Sequence, residues 1–519
     1  LPNDADTGIT ADDFTRGQSF YDLLLEVDPN NDENVFVGGI DLFKSTNGGT
    51  AWTQFSHWYG GFGFQEVHAD QHIAAFAHGD SNKMIFGNDG GIYYTSNAGT
   101  TTESRNNGLN ITQFYSVGVA PTAAITGDYF AAGAQDNGTQ SFENVSTGID
   151  GSIERFGGDG AYTFFDQDGT DTYFIRNYVY NGGINLYNVA NNTNLTINSE
   201  NGSNGSFINE EALDSNLDIL YTNYSAGGNS IVRRYSNIKF PGGVVKTNLT
   251  DALLTSSPRA FTVSPYTTSS STLLVGTVLG DLLKVENANG ASPTWTEISG
   301  PDFVGSVSDI EYGTSEDEIF VTMHNYNVIS IWYTSDGGTT WENKEGDFPD
   351  IPVKTILQNP LNTDEVIIGT ELGVWKTSNF KTASPNWTHS FNGMSNVKVL
   401  DLDLRDDNKV FAATHGRGIF SGDFTAASAS VNEVLNSTKT FTVYPTTNNG
   451  NFTVFAKNTL GKSKMTLHNI RGQKVHSQEL DFNINENQKI SIQGLKSGVY
   501  FVNIIGDNNK KSSRKIIIK

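Results

Sequence analysis

Two histidines and an aspartate stand within five residues of one another in Val67-His68-Ala69-Asp70-Gln71-His72. On a helix His68 and His72 would share a face; on a strand the alternation would add Asp70 to the same side. Imidazole and carboxylate together suit zinc or another transition metal, and a carboxylate in such a set can serve as a general base. Histidines and aspartates in turns also serve simply to satisfy backbone groups, so a purely hydrogen-bonding role stands beside the metal reading. Further carboxylates follow in Gly-rich phrases: Asp89 in Asn88-Asp89-Gly90-Gly91, Asp136 in Gln135-Asp136-Asn137-Gly138, and Asp159 in Gly158-Asp159-Gly160. Cleavage of a glycosidic bond needs two carboxyl groups roughly 5–10 Å apart. Asp70, Asp89, Asp136 and Asp159 supply the catalytic candidates without fixing which pair would face one another. Asp166, Asp168 and Asp171 lie in an oxygen-rich stretch resembling a calcium loop, without the closing Glu of an EF-hand, so a solvated turn is the competing expectation. No cofactor is required by these residues, and calcium is possible. The aromatics of Trp58-Tyr59-Gly60-Gly61-Phe62 could stack on sugar rings or serve as packing.

Whatever holds these side chains is built from strands. The 519 residues include 54 Gly, 13 Pro and no Cys, and short apolar runs alternate with stretches rich in Asn, Ser and Thr. That pattern predicts many short strands joined by polar turns. The missing cysteine excludes disulfides, thiolate metal sites and a cysteine nucleophile. A net charge of −24 argues against nucleic acid as a partner. No run of 18 apolar residues is present, so no transmembrane helix is expected. The opening Leu1-Pro2-Asn3-Asp4 has neither a basic nor an apolar leader region; either a signal peptide has been removed or the numbering begins inside a longer precursor.

Internal repetition organises the first 420 residues. The fullest phrase runs Thr334-Ser335-Asp336-Gly337-Gly338-Thr339-Thr340-Trp341. Partial copies contain Ser45, Asn47, Gly49 and Trp52, and Thr95, Asn97 and Gly99; another begins at Thr377-Ser378-Asn379. The phrase resembles the Asp-box (also called the BNR repeat) of sialidase-like and sortilin-like propellers. In such a turn the Asp or Asn accepts backbone N–H bonds, Gly takes positive φ, and Trp is expected to fold back onto its own hairpin. The resemblance implies structural turns rather than a catalytic signature, and the sialidase arginine cluster is not matched. Units are expected near 22–56, 72–107, 115–165, 166–200, 208–240, 260–298, 307–345 and 353–390. A partial unit at 397–422 is what ring closure with the N-terminal strand would leave. The expected fold is therefore all-β: a multi-bladed β-propeller of seven to nine blades over 1–422, a linker at 423–437, and a small Ig-like β-sandwich over 438–519.

The charge changes abruptly at the last segment. Residues 435–519 hold 13 Lys+Arg against 4 Asp+Glu, whereas the remainder holds 20 against 53. The segment contains Tyr444-Pro445, the turn Asn448-Asn449-Gly450-Asn451, the phrase Leu467-His468-Asn469-Ile470-Arg471-Gly472-Gln473-Lys474-Val475, then Leu495-Lys496-Ser497-Gly498-Val499-Tyr500 and a basic terminal strand. It resembles the C-terminal sorting domain of proteins exported by the type IX secretion system of Bacteroidota. The resemblance implies that 438–519 engages the type IX machinery and that the protein is extracellular or on the outer-membrane surface of a Gram-negative bacterium. For the larger part, the expectation is binding of a polysaccharide or surface glycoprotein in adhesion or recognition. One alternative is a glycoside hydrolase using paired Asp residues; another is an accessory propeller of a larger secreted enzyme. A second resemblance, to sortilin-like propellers and xyloglucan-cleaving hydrolases, rests on "H-x-D-x-H" and "N-D-G-G-I-Y" at 68–72 and 88–93.

Overall fold

The computed structural model describes residues 1, 3–145, 151–390, 393–394, 396–426, 441–456, 461–506 and 511–519, and it divides into two compact units, Leu1–Ala427 and Ser428–Lys519. The expected linker lies outside the described residues from 427 onward. All regular structure among the described residues is strand. No helix is long and apolar enough to cross a membrane.

Runs of four to six apolar residues interrupted by Gly, Asn and Asp are too short for stable helices and pair instead with their sequence neighbours. In the first unit this gives nine antiparallel sheets, each with its strands in sequence order. Sheet one contains Leu24–Val27, Val35–Gly38, Leu42–Ser45 and Thr53–Gln54; sheet two contains Gln71–Ala77, Asp80–Asn88, Gly91–Thr95 and Glu103–Ser104. Sheets three to eight cover 114–156, 163–198, 211–249, 258–297, 307–343 and 353–390, and the three-stranded sheet nine covers 399–423. Thr163–Phe165, expected to finish the third unit, instead opens the fourth.

Burial explains why the middle strands are so apolar. Leu273–Thr277 and Ile319–Met323 are buried at every position, whereas the fourth strand Thr294–Glu297 is mostly exposed. A strand covered on both faces reads as a continuous hydrophobic run. The covering comes from adjacent sheets: Ala260, Leu274 and Leu282 of sheet six share a core with Val307, Ile310, Val321 and Trp332 of sheet seven.

The first strands of sheets three to nine line one cavity of about 250 Å³, through Val117, Thr163, Glu211, Phe261, Asp309, Lys354 and Asp401. Carboxylates tie some of these strands together. Asp309 accepts the Ile356 N–H (2.9 Å), Asp401 the Val117 N–H (2.9 Å) and Asp403 the Val119 N–H (3.0 Å). Sheet nine is thus bonded to sheet three. This corrects the expected closure through the N-terminal strand: Leu24–Val27 pairs with Val35–Gly38 in its own sheet and lies beside Gln71–Ala77 of sheet two.

These carboxyls keep some surface open to the cavity yet are walled by protein. Burial pushes Asp401 up to about 8, with Asp403 adding to it, and pushes Asp403 up to about 7. An unfolded Asp titrates near about 3.9, so the folded chain retains protons that the unfolded chain releases. The stabilisation is complete below that value and is lost as pH rises through 7 to 8. Asp166 and Glu211, both pushed up to about 8 by burial, act in the same sense. His324, pushed down to about 4 by burial and then by Lys354, opposes them only below about pH 6.5. Unfolding measured by denaturant should therefore show stability falling from pH 6.5 to 8, by about 1.4 kcal/mol per pH unit for each retained proton. Asp401→Asn keeps an acceptor for Val117 and should be more stable than the wild type by an amount that grows by about 1.4 kcal/mol per pH unit between pH 5 and 8. A flat wild-type profile refutes this.

Four outer turns share one hydrogen-bond pattern. In the fullest, Thr334 Oγ1–H donates to Asp336 Oδ1 (2.7 Å), the Gly338 N–H donates to Thr334 Oγ1 (3.1 Å), and the Thr340 N–H donates to Asp336 Oδ1 (2.8 Å). Ser45, Asn47, Gly49 and Ala51 repeat it, as do Thr95, Asn97, Gly99 and Thr101; Thr377 and Asn379 repeat its first and last bonds, with Asn386 as the last donor. Four hydroxyl and backbone bonds hold the Asp336 carboxyl down at about 2. Trp52 lies against Gly49 of its own turn, whereas Trp341 and Trp387 send their indole N–H groups to the preceding sheet. Trp341 Nε1–H donates to Ile298 O (2.8 Å) and Trp387 Nε1–H to Lys344 O (3.0 Å), each carbonyl just beyond the last strand of the preceding sheet.

The second unit is two packed sheets. One has the order Phe441–Tyr444, Asn451–Ala456, Glu486–Ser491; the other runs Thr447–Asn448, Lys511–Ile518, Gly498–Ile505, Gly461–Asn469, Lys474–Phe482. Phe441, Phe452 and Ile490 from the first meet Leu467, Phe482, Val502 and Ile516 from the second in one core.

Candidate functional site

The residues singled out from the sequence gather where sheet two meets sheet three. Residues 67–70 form the approach to Gln71–Ala77, and Asp70 adopts φ 62°, which ends the extended run before the strand begins. That kink separates the histidines. His68 Nε2 bonds the carbonyl of Asp136 (2.7 Å), whereas His72 Nε2 bonds Asp89 Oδ1 (2.5 Å). Among the described residues His68, Asp70 and His72 therefore do not form one three-ligand group; the two imidazoles make the hydrogen bonds of the alternative reading. Asp70 instead joins Asp89 and Asp136, each offering a carboxylate oxygen within 4.8 Å of the others.

The surrounding chain fixes this arrangement. Asp136 takes φ 59° and its N–H donates to Asp159 Oδ1 (3.1 Å), which brings the fourth candidate carboxylate alongside. Asn137 Nδ2 donates to the carbonyl of Asp89 (3.0 Å), a second tie between the two sheets. Gly90 is required by contact: a Cβ there would lie 2.3 Å from Cγ of His68, close to the ring's point of attachment, where the side chain cannot swing away.

Electrostatics follow from crowding. Burial raises Asp70, with Asp89 adding to it, and burial followed by Asp159 pushes Asp136 up to about 8. Asp136 thus keeps a proton at neutral pH, the economical solution when several carboxyls share one site. Asp22, which the sequence reading did not single out, is fully buried with no hydrogen-bond partner on either carboxylate oxygen. Burial and then Asp70 push it up to about 6. Three carboxylate oxygens at this spacing can share a proton or accept a hard cation.

Aromatic surface borders the cluster. Tyr21 donates to both Asp89 oxygens (3.2 Å each), its ring meets His72 edge-on at 4.9 Å, and Phe20 beside it is 89% exposed. Tyr178 stands next to Asp159, which helps burial to raise its phenol. The Trp58–Phe62 group is elsewhere: Tyr59 and Phe62 pack on the ring of His57.

The calcium candidates are neighbours, Asp168 and Asp171 both helping burial to raise Asp166, but among the described residues they do not form one tight three-carboxylate group. Asp171 is paired with Lys239 (2.7 Å), which also holds Asp218 (2.6 Å), and Asp168 caps the N–H of Thr170. Asp166 is buried and no three-carboxylate group forms there among the described residues. A further feature absent from the sequence reading is a polar cavity of about 280 Å³, lined by Glu210, Arg259, His324, Lys354 and Lys398 with Tyr115 and Tyr162. Lys398 and His324 both bond Glu371 there, at 2.9 and 2.7 Å.

In the second unit the turn residues carry distinct tasks. Asn469 Oδ1 accepts the N–H groups of Arg471 (3.0 Å) and Gln473 (3.1 Å), and Gly472 supplies φ 75°. Asn448 Oδ1 accepts Gly450 N–H (2.8 Å), and Tyr500 O–H donates to Lys496 O (2.9 Å).

No curated protein matches the chain. Among solved structures it is similar to the extracellular domain of a hybrid two-component system protein, BT3049 of B. thetaiotaomicron, at 12% identity and a TM-score of 0.44, over 99% of this chain and 69% of that one. It is also similar to the computationally designed Ika8 protein, at 11% identity and a TM-score of 0.40, over 61% of this chain and 97% of that one. Residues 442–519 match the secretion system C-terminal sorting domain. The chain therefore carries a type IX sorting domain, and it is a secreted or cell-surface protein of Bacteroidota.

Proposed function

We propose that the sorting domain exports a β-propeller that binds glycans at the seam between sheets two and three. In this reading sheets three to nine are the seven blades of one closed propeller, the four shared turns are Asp-boxes, and the sandwich is Ig-like. Support for closure comes from the bonds between Asp401, Asp403 and sheet three, and from the single cavity bordered by all seven first strands. The observation that carries the binding reading is the meeting of Asp70, Asp89 and Asp136 beside exposed Phe20 and half-exposed Tyr21. Carboxylates accept bonds from vicinal sugar hydroxyls while aromatic faces cover the apolar side of a ring. A glycan array probed with the purified protein should give retained ligands, and Tyr21→Ala should weaken them by roughly tenfold, about 1.4 kcal/mol. Failure to retain any glycan refutes the reading.

A second reading has its own support. Asp136 stays protonated to about 8 close to other carboxyls, the pairing a retaining glycoside hydrolase uses at about 5–5.5 Å. Incubation of the retained glycan with the wild type separates the two: the first reading expects the glycan to stay intact, whereas the second expects cleavage that Asp136→Asn lowers at least about 100-fold.

A further inference from the structure

Three polar side chains from separate parts of the chain meet inside the N-terminal region, away from the seam. Asp4 comes from the segment preceding the first sheet, Asp41 from the turn before Leu42–Ser45, and His57 from the short strand Ser56–His57. Asp41 and His57 are fully buried and Asp4 is 7% exposed. Each offers one ligand atom within 4.8 Å of the other two.

The hydrogen bonding is lopsided in an informative way. Gln54, itself buried, donates through Nε2 to Asp4 Oδ2 (3.0 Å) and to Asp41 Oδ2 (3.5 Å). It thereby holds one oxygen of each carboxylate. The Asp41 Oδ1 atom has no partner, and neither does either ring nitrogen of His57. His57 Nε2 stands 3.9 Å from Asp4 Oδ1, too far for a hydrogen bond and within the about 4 Å that two ligands can span when each lies about 2.0 Å from a shared ion. Tyr59 and Phe62 close over the imidazole, with ring centroids at 4.2 and 5.0 Å. Buried polar atoms are nearly always satisfied, and here the unsatisfied ones belong to side chains aimed at one point.

We propose that Asp4, Asp41 and His57 bind a divalent first-row transition ion, zinc in the first instance. One imidazole and two carboxylates are the ligand types of such an ion, and the imidazole disfavours calcium and magnesium, which take all-oxygen sets. Gln54 is then the outer-shell residue that orients both carboxylates. The ion clamps residues 3–8 to the first sheet, and its role is structural.

The test uses the full chain. Elemental analysis after dialysis should find about one equivalent of zinc or a neighbouring transition ion per chain, removable by a strong chelator. Chelation should lower the melting temperature of the wild type, and zinc should restore it while calcium does not. Asp41→Asn and His57→Gln should each reduce the bound metal at least tenfold, whereas His72→Gln, at the seam, should leave it unchanged. The chelation and readdition arm stands even where a substituted chain fails to fold. The proposal is overturned if zinc leaves the melting temperature of chelated wild type unmoved, if calcium restores it equally, or if a folded Asp41→Asn chain keeps its metal.

Discussion

Removing residues 435–519 should leave the first unit folded but keep it inside the cell envelope. The two units have separate cores: Phe441, Phe482 and Ile516 pack among themselves, and the sheets of 24–423 complete their own hydrophobic clusters without them. Deletion therefore removes an address rather than a buttress. Cell fractionation with a melting measurement on the truncated protein checks both halves of the claim. Display of the truncated chain at the surface in normal amount would refute the assignment of export to this segment.

Trp341→Ala should be strongly destabilising. The indole N–H caps the Ile298 carbonyl, and the ring meets Phe303 at 4.8 Å beside the core that sheets six and seven share. Deleting a large aromatic in such a place costs about 3–5 kcal/mol, and the uncapped carbonyl adds to the loss. Trp341→Phe recovers the packing but not the hydrogen bond and should fall between. Chemical denaturation distinguishes the three proteins. An unmoved midpoint for the alanine variant would mean that the indole stabilises nothing at this junction.

What the sequence disclosed followed the range of the interactions involved. Turns written in consecutive residues, such as Thr334 to Trp341, were legible because their hydrogen bonds close within about one phrase. The convergence of Asp70, Asp89 and Asp136 was legible only as a set of candidates, since it depends on how sheet two meets sheet three. The spacing of His68 and His72 left metal binding and plain hydrogen bonding both open, because spacing alone assumes regular backbone and the left-handed Asp70 breaks it. Asp309 with Glu311, and Asp401 with Asp403, look like the wet face of an ordinary strand, yet they line the cavity. Alternation identifies a face but not what that face meets. Trp341 was placed on its own hairpin because nothing local names the sheet six carbonyl as its partner.

The placement of the carboxylate cluster has a mechanical side. His68 reaches across to the Asp136 carbonyl and Asn137 reaches back to that of Asp89, so the same few residues that face solvent also stitch sheet two to sheet three. A ligand seated there would press on both edges of a joint at once. Under the binding proposed above, occupancy would change the stiffness of the joint between the first two sheets and the rest of the unit.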